Sequence, residues 1–372
     1  MNRPQKIKIL HLVNKLCAGG AERQLLNIAK YSDKNKFAHQ IVTLMDESDL
    51  DPMFRDAGVS IWNLGLNGFT PGYRMLVAMI RLRSYIYREG IDLLHAWLYH
   101  PNFYASLLKP LLPGLRLIVS KQGQNFWYTK KHFFLNSYVY RVSDGIFVNS
   151  ENLKKSILSY LPMVEGKTFV IPNVVDVPPS RSPIHPDLLD ARKAGRFIVG
   201  VVGRFCMEKE PLKVLEALEV LREKISNILV VFVGQGDLLE KCRTYACVKG
   251  LEDNVLFAGY QQDVYPWYRS FDIYLLASSF ESLPNTLLEA QAMSIPTVAT
   301  TVGDIHKVIA HEENGLLIRP GDAESIVDAV ARLHADPALA TALGEEGKRR
   351  SMVFSISRIT DYDDMYLTVT RK

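Results

Sequence analysis

At 372 residues the chain is longer than one ordinary hydrophobic core sustains, which points to two domains. Apolar content of 48% and charged content of 23% suit a globular protein. No uninterrupted apolar run reaches the ~18–20 residues of a membrane-spanning helix. The formal charge of +4 hides an asymmetry: residues 1–180 carry 22 Lys+Arg against 13 Asp+Glu, whereas 181–372 carry 22 against 27. A basic half joined to an acidic half predicts different partners for each.

The amino terminus, "MNRPQKIKILHLV", reads as a first strand and not as a signal or transit peptide. Further strands are expected at 39–45, 91–97, 116–120 and 145–150, with a helix of clear 3.6-residue period over 72–89. Pro-rich 173–188 reads as a linker. Beyond it, strands are expected at 197–203, 228–234, 254–260, 272–278, 296–300 and 314–318. This alternation predicts two doubly wound, parallel α/β domains facing across a cleft, over 1–180 and 181–352, with a terminal helix over 353–372 packing back on the first domain. Cys17, Cys206, Cys242 and Cys247 are scattered without C-x-x-C spacing, so they suggest a reducing compartment and neither a disulfide framework nor a zinc site. The cytoplasm is the expected location.

In such sheets ligands bind beyond the carboxyl ends of the strands, so the loops there carry the chemistry. After the first strand, Gly19 and Gly20 open a helix in "CAGGAE", where backbone could pass close to a phosphate; an ordinary tight turn is the bland alternative. The spacing is not G-x-G-x-x-G, which excludes the nicotinamide-binding fingerprint. In "VVGRFCMEKEP", Arg204 and Lys209 follow a strand and suit a diphosphate, or are two solvated cations. Gly234 and Gly236 make a turn in "VGQGD". Gly259, Tyr260 and Gln261 follow another strand, where backbone could read a nucleobase edge. In "ESLPNTLLEA", Pro284 starts a helix whose N–H groups at Asn285, Thr286 and Leu287 suit a phosphate. Glu281 precedes that helix and Glu289 lies a turn inside it. They sit at different depths, unlike a general acid–base pair held ~5–9.5 Å apart across one bond.

In order and spacing, "GGAE", "VGRF…EK", "VGQGD", "GY", "ES-LPN-LLEA" and "PTVATTVGD" resemble the family 4, group 1 retaining glycosyltransferases of GT-B fold, most strongly over 196–320. The resemblance implies a nucleotide-sugar donor, UDP-linked by expectation, and no metal or other cofactor. It implies that Glu281 contacts donor-sugar hydroxyls and Glu289 the ribose. Arg204, Lys209 and the Asn285–Leu287 backbone would take the diphosphate, Gly259 to Gln261 the base, and Gly20 the donor phosphate. The leaving phosphate would assist deprotonation of the acceptor in a front-face, oxocarbenium-like reaction. Where many relatives carry a histidine after the strand "LIVS", this chain has Lys121, Gln122 and Gln124. His95 and His100 follow the preceding strand, and His100, before "PN" at a helix start, is preferred as a residue reaching substrate.

The cations Arg74, Arg81, Arg83, Arg88, Lys130, Lys131 and Arg141 are mixed with aromatics and aliphatics in 72–88 and 126–141. Such a basic amphipathic surface can lie on anionic lipid at the inner face of the plasma membrane, or is a packing helix with a solvated basic face. The resemblance implies a glycan or polyprenyl-diphosphate-linked acceptor in cell-surface polysaccharide (lipopolysaccharide or capsule) synthesis, and the basic first half agrees with it. Nucleic acid does not, because no recognition motif accompanies the cations. The alternatives are a GT-B sugar-nucleotide epimerase and a catalytically silent subunit that binds a partner transferase.

Overall fold

The structure, a computed structural model, describes residues 6–17, 19–46, 50–66, 72–123, 129–177 and 183–371. The chain divides into two compact units. The amino-terminal unit is Met1–Val174 with Ile356–Lys372, and the carboxyl-terminal unit is Val175–Ser355.

The amino-terminal unit is built on a parallel sheet of seven strands: β1 (Ile7–Val13), β2 (Phe37–Thr43), β3 (Ser60–Asn63), β4 (Leu93–Trp97), β5 (Arg116–Lys121), β6 (Gly145–Val148) and β7 (Thr168–Val170). Their spatial order is β3-β2-β1-β4-β5-β6-β7, so the winding reverses between β1 and β4. Strands with both faces covered read as continuous apolar runs, and β4 and β6 are buried throughout. One face packs against the helices Tyr73–Glu89, Tyr99–Leu108, Lys130–Val142 and Glu151–Leu158 through Leu82, Ile86, Leu108, Val139 and Ile157. The opposite face packs against Gly20–Tyr31 and Thr360–Arg371 through Leu25, Ile28, Tyr362, Tyr366 and Val369. The Ser32 hydroxyl bonds the Asp363 carboxylate, whose other oxygen accepts from the Asp33 N–H at 3.0 Å.

The sequence reading misses β3 and β7, and both are the edge strands of this sheet. Edge strands are kept short, and four and three residues carry too little periodicity to announce themselves.

The carboxyl-terminal unit holds a parallel sheet of six strands: β8 (Phe197–Val202), β9 (Ile228–Val233), β10 (Val255–Gly259), β11 (Ile273–Leu276), β12 (Thr297–Thr300) and β13 (Leu316–Ile318). The order is β10-β9-β8-β11-β12-β13, with the reversal between β8 and β11. Both sheets are thus doubly wound, as expected from the alternation of strands and helices. The last three residues of the expected linker, from Pro186, begin the helix Pro186–Lys193. Among the described residues, no helix is long and apolar enough to cross a membrane.

Candidate active site

In the carboxyl-terminal unit the two richest motifs follow β8 and β11, the neighbouring strands at which the winding reverses. That is the crevice where an open α/β sheet binds its ligand. After β8 the chain turns through Arg204 and a short 3-10 turn, Met207–Lys209, before the helix Pro211–Lys224. After β11 it runs through Ser278 and Glu281 to Pro284, the N-cap of the helix Asn285–Ala292. Backbone joins the two loops, because the Ser279 N–H donates to the Glu208 carbonyl at 2.9 Å.

Side chains join them as well. The Lys209 ammonium pairs with the Glu281 carboxylate, which also accepts from the Ser278 hydroxyl at 2.8 Å. Ser278 is fixed in turn, since its carbonyl accepts from the Thr300 hydroxyl at 2.5 Å. Arg204 is exposed. Beside it, burial raises the Cys206 thiol pKa, and the hydrogen bond from that thiol is the chief cause holding Glu208 below the usual carboxylate range.

The first N–H groups of a helix have no carbonyl partner within it and carry the positive end of its dipole. In Asn285–Ala292 these belong to Asn285, Thr286 and Leu287. Leu287 is fully buried in the core, so only its backbone can serve a ligand. Glu289 is 5% exposed and lies one turn deeper. Its carboxylate is 3.1 Å from the Tyr268 hydroxyl, which is also 3.1 Å from the Thr286 carbonyl. Tyr274 donates to the Thr286 hydroxyl at 2.7 Å. Burial pushes both phenol pKa values up, so they stay protonated donors.

Tyr268, Tyr274 and Ser278 are the site residues that sequence reasoning missed. Each sits in an apolar stretch where a tyrosine or serine reads as packing, and only the fold turns its hydroxyl toward a glutamate loop.

Gly234 and Gly236 have φ of +150° and +152°. A Cβ on Gly234 would lie 1.9 Å from the Gly203 carbonyl oxygen, and one on Gly236 2.5 Å from that of Phe205. The close approach these glycines permit is to the loop carrying Arg204. Hydrogen bonds of 3.0 Å from Gly203 N to Val233 O and from Phe205 N to Gln235 O seal the contact. Gly259 has φ +69°, and its carbonyl accepts from Gly234 N at 2.8 Å. The Gln261 amide turns back and donates to the Ala258 carbonyl at 2.8 Å.

The remaining candidates lie in the amino-terminal unit. Gly19 caps the helix Gly20–Tyr31 immediately beyond β1. His100 is half-buried in the first turn of Tyr99–Leu108, its pKa lowered by burial and then by His132. Leu98, the N-cap two residues before it, holds φ +67°, ψ −176°, a strained conformation for a bulky side chain. His95, the other histidine candidate, is a core residue: it is fully buried, with Nδ1 2.9 Å from the Tyr366 hydroxyl and Nε2 2.7 Å from that of Ser120. Lys121 ends β5 and is 8% exposed, and burial lowers its pKa to about 8. Gln122 follows it, and Gln124 lies outside the described residues.

Two family models divide the chain between them. "Glycosyl transferases group 1" matches residues 190–350, and "Glycosyltransferase Family 4" matches residues 18–178. The chain is 31% identical over 165 residues to the lipopolysaccharide core biosynthesis glycosyltransferase LpsE of Rhizobium meliloti, covering 44% of this chain and 47% of that one. It is 28% identical over 180 residues to the UDP-Gal:alpha-D-GlcNAc-diphosphoundecaprenol alpha-1,3-galactosyltransferase of Escherichia coli, covering 46% of each. The matched region spans about half the length of these curated relatives. Among solved structures, Anabaena Alr3699/HepE in complex with UDP and glucose superposes with a TM-score of 0.82 at 17% identity, over 97% of this chain and 99% of that one. At that identity the likeness speaks for the fold.

Proposed function

The chain belongs to the family 4, group 1 glycosyltransferases and has their GT-B fold of two Rossmann-like domains, and from that premise we propose that it transfers a sugar from a UDP-linked donor, with retention and without a metal, to a glycan or polyprenyl-diphosphate-linked acceptor in cell-surface polysaccharide synthesis. The observation that carries this reading is the Lys209–Glu281 pair beside the Asn285 helix start at the β8/β11 reversal. One cation, one hydroxyl-reading carboxylate and one set of backbone donors are gathered there.

In this reading the donor diphosphate lies against the N–H groups of Asn285, Thr286 and Leu287, with Arg204 and Lys209 completing the charge. The negative charge that develops as the sugar–phosphate bond breaks is met by donors already in place. Glu281 accepts from donor-sugar hydroxyls and Glu289 from the ribose, while backbone from Gly259 to Gln261 meets the base. The anomeric C–O bond to phosphate breaks and the acceptor oxygen bonds the same face of that carbon. The acceptor proton passes to the leaving diphosphate, so the protein need not supply a base. In the amino-terminal unit, Gly20 and His100 are the residues proposed to meet substrate. The E. coli relative is named for a UDP-linked donor and an undecaprenol-linked acceptor, which supports both choices here.

The test is release of free nucleotide on incubation with UDP-, GDP- and ADP-sugars and a membrane extract, alongside a thermal-shift screen with the same compounds. Release and stabilisation with a UDP-sugar are expected, and both should survive a chelator. A chain neither stabilised by nor acting on any of them would be the silent subunit.

A further inference from the structure

The helix Tyr73–Glu89 has two faces that are both apolar. Ala78, Leu82 and Ile86 face the core. On the other side Tyr73, Leu76, Val77, Ile80 and Tyr87 are 46–86% exposed. Successive residues advance by about 100° around a helix, so these five form one stripe. Arg83 falls along one border of the stripe, and Arg74, Arg81 and Arg88 along the other. All four arginines are exposed. The helix contains a single acid, Glu89, which is angled toward the core side and paired with Arg88.

The stripe ends in a built recess. Trp62 of β3 stacks on Tyr85 with ring centroids 4.7 Å apart. Arg81 lies over Trp62 at 5.4 Å and Arg88 over Tyr85 at 5.5 Å. The Tyr85 hydroxyl is anchored on Gln40 at 2.9 Å, and Ser84 lies between the two arginines on the recess wall. Stacking fixes both guanidiniums; Arg88 Nε is already bonded to Glu89 at 3.0 Å, so the recess offers an oxyanion the Arg81 edge and the terminal nitrogens of Arg88. On the same side of the sheet the helix Lys130–Val142 starts with two lysines and exposes Phe134 at 76%.

We propose that the outer face of Tyr73–Glu89 docks on an anionic phospholipid bilayer. The Tyr73, Leu76, Val77 and Ile80 side chains enter the acyl boundary, and the Arg81–Ser84–Arg88 recess receives a headgroup phosphate. An apolar stripe bordered by cations on both sides, with no acid among them, is complementary to a negatively charged interface and to neither bulk water nor a second copy of this equally basic face. The proposal takes from the preceding section the lipid-linked acceptor, which would reach the protein at such a surface.

The experiment is co-sedimentation of the full chain with vesicles of phosphatidylcholine alone or mixed with phosphatidylglycerol, at low and at high salt. Binding to the mixed vesicles is expected at low salt, with little to phosphatidylcholine alone. The paired substitution Arg81→Ser/Arg88→Ser should weaken it by roughly fivefold per arginine. Leu76→Glu/Ile80→Glu should abolish it. All these positions are exposed, and an unchanged thermal shift with UDP would show that the variants fold. Wild-type chain remaining in the supernatant with mixed vesicles, or variants sedimenting like wild type, would overturn the proposal. Self-association relieved by Ile80→Glu would overturn it too, in favour of a second copy. Loss of vesicle binding with sugar transfer intact would leave the transferase reading standing, and vesicle binding without nucleotide-sugar turnover would do the reverse.

Discussion

Tyr268 and Glu289 meet 3.1 Å apart beneath the start of the helix Asn285–Ala292, a phenol and a carboxylate both removed from water. The tyrosine comes from the short helix before β11 and the glutamate from the helix after it, so on the proposed reading this contact sets the angle at which Glu289 meets the ribose. Tyr268 is therefore a positioning residue. Tyr268→Phe removes one hydrogen bond to a charged group, worth about 1.5–3 kcal/mol. The expected outcome is a rise of roughly tenfold or more in donor KM with kcat nearly unchanged. Steady-state kinetics with donor varied checks it, since a merely structural role would lower apparent kcat through loss of folded protein and leave KM unchanged.

Lys209 pairs with Glu281, and on the proposed reading its charge turns to the diphosphate when donor binds. Lys209→Met should lower kcat by roughly 10²-fold, the scale of losing one preorganised donor to a developing oxyanion. The melting temperature should move little. A variant with full turnover would remove Lys209 from the reaction.

Gly234→Ala tests the turn that braces the Arg204 loop. Its φ of +150° and the 1.9 Å approach to the Gly203 carbonyl leave no room for a methyl group. The expected cost is about 2–4 kcal/mol, read as a lower urea midpoint. Arg204 would be displaced with the loop, so donor affinity should fall as well.

The amino-terminal unit contains a buried histidine cluster whose tautomers are set by its partners. Trp97 donates from Nε1 to His11 Nδ1 at 3.2 Å, so His11 must donate from Nε2 to His39 Nδ1, 2.9 Å away. Burial, then His39 and His95, holds the His11 pKa well below 6.5. Burial first, then a neighbouring charge, holds His39 and His95 at about 3. Histidines kept neutral in the fold bind fewer protons than in the unfolded chain, so stability is full above about pH 6.5 and falls as the pH drops toward 3. The slope approaches about 1.4 kcal/mol per pH unit for each histidine. Melting temperatures between pH 7.5 and 4.5 should show this fall, and His39→Leu should flatten it.

The central strands and the motifs at their carboxyl ends were legible because burial on both sheet faces leaves unbroken apolar runs, and loops after such runs stand out by contrast. The two edge strands were not, being too short to carry a period. The placement of Glu281 before the helix and of Glu289 a turn inside it was legible from spacing, whereas the hydrogen bonds of Tyr268, Tyr274 and Ser278 were not, because they depend on which loops the fold brings within reach. His95 shows the converse: a polar residue after an apolar run looked available for chemistry, yet Ser120 and Tyr366 occupy both its nitrogens.

The carboxyl-terminal unit is bounded by a parallel bridge between Val175 and Ser355, so the chain enters and leaves it at one place. During synthesis this central unit emerges whole, while the unit begun first still lacks Tyr362, Tyr366 and Val369 against its sheet. The first unit is thus completed last, and truncation after Ser355 would unpack the sheet of the unit begun first while leaving the central unit whole.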